Sequence, residues 1–389
     1  MLLAVLGCAQ RESDVGADSI PFRPGDEFSQ VEVRATRSAE WSPRVSNGLG
    51  AALQVGSFGD FRSVSALKFS PASLLPDSFS LDTIRLRFKV DRVFPDNVAV
   101  PDLRMLIKEI SEPWGEDTLM PGKLLDSANY VTIDTILIPT AETGDSVYWD
   151  VPDSIWSQWL AADSDSVNYG ILLEPEDEGV MVAFQSAEGA DAYKVQLELI
   201  GTQYYLSEDD SSVVDSSAAY ADTIFAIEDG YLTDDTSEPV HGRIRISQGS
   251  ARRGLFYVPL DSVASPLRTA VRAKLHLFVA GAEENTVRYQ GENPLYKDGT
   301  LADTAWYENT DSTTVQFVAV SSSSFGADNV EIIFENTGLV APLIGHPETN
   351  FGFQIQTTSE SDVLTRQYFH GPDSEVDSLR PYLELWFAE

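Results

Sequence analysis

Thr83-Ile84-Arg85-Leu86-Arg87-Phe88-Lys89-Val90 alternates without a break. Ile84, Leu86, Phe88 and Val90 fall on one side, and Arg85, Arg87 and Lys89 on the other. A period of two is that of an extended strand with one face on a core and one in water. The alternation returns in Val195-Gln196-Leu197-Glu198-Leu199, in Arg243-Ile244-Arg245-Ile246 and in Val271-Arg272-Ala273-Lys274-Leu275-His276-Leu277. Asp96-Asn97, Pro121-Gly122, Gly144-Asp145 and Asp298-Gly299 supply turns between such runs. One short helix is expected over Asp153-Ser154-Ile155-Trp156-Ser157-Gln158-Trp159-Leu160, with Ile155, Trp159 and Leu160 on its apolar face and Asp153 or Ser154 as its cap. The fold class that follows is all-β, made of antiparallel, jelly-roll-like β-sandwiches.

The order of motifs then repeats. Leu86-Arg87-Phe88 corresponds to Leu275-His276-Leu277, and Trp114-Gly115-Glu116 to Trp306-Tyr307-Glu308. Asn168-Tyr169-Gly170-Ile171 corresponds to Asn350-Phe351-Gly352-Phe353, and Gln196-Leu197-Glu198-Leu199 to Tyr382-Leu383-Glu384-Leu385. Between the copies lies the acidic run Ser207-Glu208-Asp209-Asp210-Ser211-Ser212, which suits a linker. The expected organisation is two tandem sandwiches, over 28–201 and 215–389, joined by a linker at 202–214. A single large jelly roll is the alternative.

The amino terminus reads differently. In Met1-Leu2-Leu3-Ala4-Val5-Leu6-Gly7-Cys8 an apolar stretch runs into a small residue and then the only Cys of the chain. Val5-Leu6-Gly7-Cys8 is similar to the lipobox of bacterial lipoproteins, which implies lipidation of Cys8. The stretch is short for a signal peptide, so a start further upstream is expected. Residues 9–27 are polar and aperiodic and suit a flexible tether. The expectation is an exported protein held in the bacterial cell envelope by lipid, touching the membrane only through that anchor.

Composition narrows the partners. There are 61 Asp+Glu against 26 Lys+Arg among 389 residues, a net charge of −35, while 43% of residues are hydrophobic. Such a chain can bury a core, and its charge sign argues against nucleic acid. A single Cys excludes a disulfide scaffold and Cys-built metal sites. Beyond the amino terminus no apolar run reaches the ~18 residues of a transmembrane helix.

Residues 28–201 resemble the DNRLRE family of extracellular β-sandwich modules, part of which is grouped as carbohydrate-binding module family 96. The resemblance rests on Ala66-Leu67-Lys68-Phe69, the Ile84–Val90 strand and the Trp114-Gly115-Glu116 loop. It extends through Asp150-Val151 to Trp159, Asn168-Tyr169-Gly170-Ile171-Leu172, Phe184-Gln185-Ser186-Ala187-Glu188 and Leu197-Glu198-Leu199. The second copy departs from the pattern, with Tyr368-Phe369-His370-Gly371 in place of Phe-x-Ser-x-Glu. The resemblance implies a cell-surface module with glycan as a ligand class.

The residues themselves give no catalytic signature. Neither His-Glu-x-x-His nor Gly-x-Ser-x-Gly occurs, and the expectation is a protein that is not an enzyme. His276 is expected at the surface, on the polar side of its strand. Sugar-binding sandwiches use aromatic faces, which makes Trp41, Trp114, Trp156, Trp306 and Tyr307 the candidate ligand-binding residues. Glu174, Glu176, Asp177 and Glu178 gather hard oxygens and are the candidate ligands for a structural calcium. The two leading readings are a polysaccharide-binding module and a structural or adhesive envelope protein that self-associates or spaces a partner from the membrane.

Overall fold

The computed structural model describes residues 28–41, 50–70, 78–95, 99–116, 130–141, 144–161, 168–189, 193–206, 214–236, 238–250, 252–265, 267–282, 289–292, 295–296, 310–311, 318–319, 331–335, 337–350, 352–357 and 364–388. In the first part of the chain the strands are β1 (Phe28–Arg34), β2 (Arg37–Trp41), β3 (Ala52–Phe58), β4 (Phe61–Lys68), β5 (Phe79–Lys89), β6 (Arg92–Phe94), β7 (Leu103–Glu109), β8 (Val131–Ile138) and β9 (Ser146–Asp150). Helix α1 (Asp153–Ala161) leads to β10 (Ile171–Pro175), β11 (Val180–Gln185), β12 (Gln196–Leu206), β13 (Val214–Phe225) and β14 (Glu228–Asp235). The remainder holds β15 (Arg243–Gln248), β16 (Arg253–Tyr257), β17 (Ala270–Ala282), β18 (Tyr289–Glu292), β19 (Leu295–Tyr296), β20 (Thr310–Asp311), β21 (Val318–Ala319) and β22 (Glu331–Glu335). After helix α2 (Thr337–Gly345) come β23 (Phe353–Thr357), β24 (Thr365–His370) and β25 (Tyr382–Ala388). The protein is all-β, and every pairing between these strands is antiparallel.

The chain divides into two compact units. The nearly contiguous one takes residues 44–238 with 361–364. Its first sheet runs β6-β11-β3-β4-β10-β7-β8, with β14 also on β4, and its second runs β13-β12-β5-β9. The alternating strand that opened the sequence reading is β5. Leu86 and Phe88 enter a core with Trp149, Phe184, Leu197 and Leu199. Helix α1 adds Ile155, Trp156 and Trp159 to that core, with Trp159 packed on Phe69 at 5.7 Å between ring centroids. Burying a side chain of this size stabilises by roughly 1.5–3 kcal/mol, which is why the edge of the sandwich is capped by a helix and not left open.

The split unit takes residues 1–43, 239–360 and 365–389. One sheet is β1-β25-β17-β24-β15, with β22 also on β17, and the other is β2-β16-β23-β18-β21. Phe256, Phe334, Phe353, Phe369 and Phe387 fill its core. Helix α2 buries Leu339, Val340, Leu343 and Ile344.

These units differ from tandem sandwiches over 28–201 and 215–389. Strands β1 and β2, at the head of the first sequence copy, lie in different sheets and pair with β25 and β16 of the second. Strands β13 and β14, at the head of the second copy, likewise lie in different sheets and pair with β12 and β4 of the first. Arg34 and Phe225 end equivalent strands, and Arg37 and Glu228 begin the next, each pair 191 residues apart. The two sequence copies have exchanged their two leading strands. The linker assigned to 202–214 is partly strand, since β12 runs to Leu206 and β13 starts at Val214. Backbone ladders explain why the sequence does not foretell this. Duplicated edges present the same spacing of N–H and C=O groups, so a leading strand satisfies either copy's edge equally well.

Candidate metal centre

Three carboxylates converge in the contiguous unit. Glu116 follows β7 through Ile110 and Trp114. Trp114 donates its indole N–H to the Tyr169 carbonyl at 2.6 Å and packs on the cluster of Ile110, Tyr130 and Leu172. That anchor fixes the loop two residues before Glu116. Glu188 lies just past the end of β11, in a turn closed by Ser186. The Glu188 N–H donates to Ser186 Oγ at 3.2 Å, and the Gly189 N–H to the Ser186 carbonyl at 3.1 Å. Asp229 comes from β14, in register with Leu67 of β4. One oxygen from each of Glu116, Glu188 and Asp229 lies within 4.8 Å of the others. It is the only such His, Cys, Asp or Glu group among the described residues.

Asp229 is 1% exposed. Its Oδ2 accepts the Ala187 N–H at 2.7 Å, while its buried Oδ1 meets no donor. Burial, with repulsion from Glu188 and Glu116 added, pushes its carboxyl up to about 7 against the opposing pull of the Ala187 N–H and Lys194. Glu116 is half-buried and Glu188 exposed, so the cluster opens to solvent on one side.

The acids predicted to hold calcium stand apart from this cluster. Glu174 is buried and ion-paired with Arg62 and Lys108. Glu176 pairs with Arg104 at 2.8 Å, and Asp177 Oδ2 accepts the Arg104 N–H at 3.2 Å. Glu178 is exposed. The end of β10 sends Glu174 onto the sheet and turns the others out, so adjacency in sequence brings no common centre. The two glutamates that do meet, Glu116 and Glu188, belong to the Trp-x-Glu and Phe-x-Ser-x-Glu segments. Their convergence with Asp229 needs the exchanged strand β14, which no local spacing signals.

The predicted aromatic platforms fare in the same way. Trp156 is buried in the core, where α1 sets it three residues before Trp159 on the same face. Trp114 is the loop anchor described above. Trp41 ends β2, and its side chain lies outside the described residues, as do Trp306, Tyr307 and Cys8. The basic face of β5 is already engaged. Arg85 Nε reaches Glu198 at 2.9 Å and stacks on Tyr148 at 4.1 Å, Arg87 reaches Glu198 at 3.6 Å, and Lys89 sits over Tyr193 at 4.3 Å.

In the split unit His276 is 5% exposed, not at the surface. Its Nδ1 lies 2.6 Å from Glu331 and its Nε2 3.2 Å from Glu384, and its ring stacks on Tyr382 at 4.3 Å. Burial, with Glu331, Glu32 and Glu384 adding repulsion, pushes the Tyr382 hydroxyl up to about 12. Glu40 of β2 is enclosed by Arg245 at 3.4 Å and Arg252 at 2.9 Å.

No protein family's sequence profile matches the chain, and no curated protein does. Among solved structures, that of the infectious bursal disease virus Gx strain aligns at 12% identity, over 95% of this chain and 77% of that one, with a TM-score of 0.16. The Gt strain aligns at 10% identity over 95% and 79%, and the VP2 subviral particle of the same virus at 11% over 94% and 78%, both with a TM-score of 0.14. Scores of this size lie below those of a shared fold, and no role carries over from these structures.

Proposed function

We propose that the chain is a non-catalytic, lipid-anchored protein of a bacterial cell envelope, with a structural or adhesive role and a tendency to self-associate. The observation that carries this reading is the exchange between the sequence copies, in which each unit is completed by the two leading strands of the other copy. Strand β1 lies along β25 from Phe28 opposite Ala388 to Arg34 opposite Tyr382. Strands that complete a sheet from far away in sequence can complete the same sheet in a second copy, which is a route to self-association. The lipobox-like Val5-Leu6-Gly7-Cys8 supports the anchor, and the resemblance of 28–201 to surface modules supports export.

Sheet edges that carry no further strand among the described residues support self-association. Strand β8 ends the larger sheet of the contiguous unit and exposes Val131 (68%) and Leu137 (54%). Strand β13 ends the other sheet with Val214 and Phe225 exposed. Such edges are templates for pairing with another chain. Sedimentation velocity over a concentration series tests this, alongside a glycan array. The expected result is reversible association that Val131→Lys and Leu137→Lys weaken, with no glycan bound. A strictly monomeric protein that binds a defined polysaccharide would overturn it in favour of the glycan-binding reading.

A further inference from the structure

We propose that Glu116, Glu188 and Asp229 bind one divalent cation of the calcium class, and that this ion fastens the exchanged strand β14 to the body of the contiguous unit.

The chemistry of the donors sets the class of ion. All three are carboxylates, with no His or Cys in the group. Hard oxygen donors select calcium- or magnesium-type ions over zinc. Oxygens within 4.8 Å of one another can share a cation whose bonds are about 2.3–2.6 Å, with waters or carbonyls completing a shell of about 6–8 ligands. A cluster with two of its three acids on loops and one side open to solvent fits the adaptable calcium shell better than the rigid magnesium octahedron.

A second observation points to the ligand independently of the clustering. Asp229 is almost wholly buried and faces the two glutamates, and its Oδ1 has no hydrogen-bond donor. A buried carboxylate oxygen with no donor is costly unless a positive charge stands by it. The nearest candidate on the chain is Lys194. It attracts Asp229, but its Nζ is placed over the Phe225 ring at 4.9 Å. Lys194 is therefore the rival to the cation, and the test separates them.

The split unit shows that the fold does not demand this acid. There the equivalent strand β2 places Ser38 opposite Phe256, as Asp229 lies opposite Leu67. Ser38 is neutral, and the ladder forms regardless. The charge at 229 is thus additional to what the architecture needs. It also sits on the segment whose attachment is least local, since β14 joins a sheet otherwise built from the first copy.

Terbium luminescence, calcium titration calorimetry and thermal melting of the full chain form the test. Trp114 stands two residues from Glu116 and serves as the sensitiser. Terbium emission excited through Trp, displaced by calcium at up to about millimolar concentration, is expected, together with a calcium-dependent rise in melting temperature. Glu188→Gln, on an exposed side chain, should weaken binding at least about tenfold while leaving the fold intact. Asp229→Asn should abolish the calcium-dependent rise, yet melt no lower than the parent chain in EDTA. Absence of any calcium response would overturn the proposal and leave Lys194 as the countercharge. Calcium binding unchanged in both variants would overturn it equally, by placing the ion elsewhere on this acidic chain.

Discussion

Asn168 and Asn350 make the same pair of hydrogen bonds in the two units. Asn168 Nδ2 donates to the Phe69 carbonyl at 2.6 Å, and its Oδ1 accepts the Gly170 N–H at 3.0 Å. Asn350 Nδ2 donates to the Val258 carbonyl at 2.8 Å, and its Oδ1 accepts the Gly352 N–H at 3.2 Å. Each glycine has positive φ, +78° and +98°, and each backs onto the neighbouring strand's carbonyl, of Leu67 or of Phe256. A side chain at either position would be strained and would strike that carbonyl.

Replacing either Asn by Ala strands a buried carbonyl and a buried N–H. A loss of about 1–3 kcal/mol is expected from the unit that carries it. Denaturant melts followed by amide exchange should show Asn168→Ala lowering protection in the contiguous unit and Asn350→Ala in the split unit. An equal loss in both units would show that they unfold as one.

Glu40→Gln should be more severe. The Glu40, Arg245 and Arg252 side chains are 4%, 3% and 12% exposed, so neutralising the acid removes a buried negative charge that two buried guanidiniums share. Removing one partner of such a cluster costs about 3–5 kcal/mol. The loss should appear in the split unit, read as reduced protection of β15 and β16.

The exchange of leading strands predicts which fragment folds. Residues 44–238 should give a dispersed amide spectrum and a cooperative melt. Residues 28–201, the span of the first sequence copy, should not, because they lack β13 and β14 and carry β1 and β2 without β25 and β16. A well-folded 28–201 fragment would mean that each copy can close on its own leading strands.

Asp229 sets a pH trend. Its folded-state carboxyl titrates at about 7 against an ordinary 3.8, so the folded chain holds a proton that the unfolded chain has released. Stability should therefore fall as pH rises from about 4 to 7 in EDTA, and level off above. The contribution is bounded at roughly 4 kcal/mol. Thermal melts across that range should show the slope in the parent chain and not in Asp229→Asn.

Much of the fold is legible in the residues. The alternation of β5, the helix over Asp153–Ala161 and the paired Asn-x-Gly segments are local signals, and local backbone geometry follows them. Trp156 shows the limit of selective reading. It stands three residues before Trp159, a spacing that shares a helical face, so its burial was available from the pattern that placed Trp159 in the core. The partner of β1 was not available. Strand pairing depends on which edge is open, and the copies offer alike edges. The acid cluster was half legible, since Glu116 and Glu188 sit in recognisable segments. Asp229 joins them only through a strand from the other copy. The Glu174–Glu178 run misleads for the opposite reason, because acids adjacent in sequence are dealt to different partners once a strand ends among them.

Strand β1 finds its partner only at Tyr382–Ala388. A ribosome making this chain releases β1 and β2 first and β25 last. The contiguous unit has every strand it needs once Asp235 has emerged, and it can close while the remainder is still being made. The split unit must wait, with β1 and β2 unpaired throughout. Completion therefore runs from the middle of the chain outward. Strands kept waiting that long are the point at which a neighbouring nascent copy can be joined by mistake.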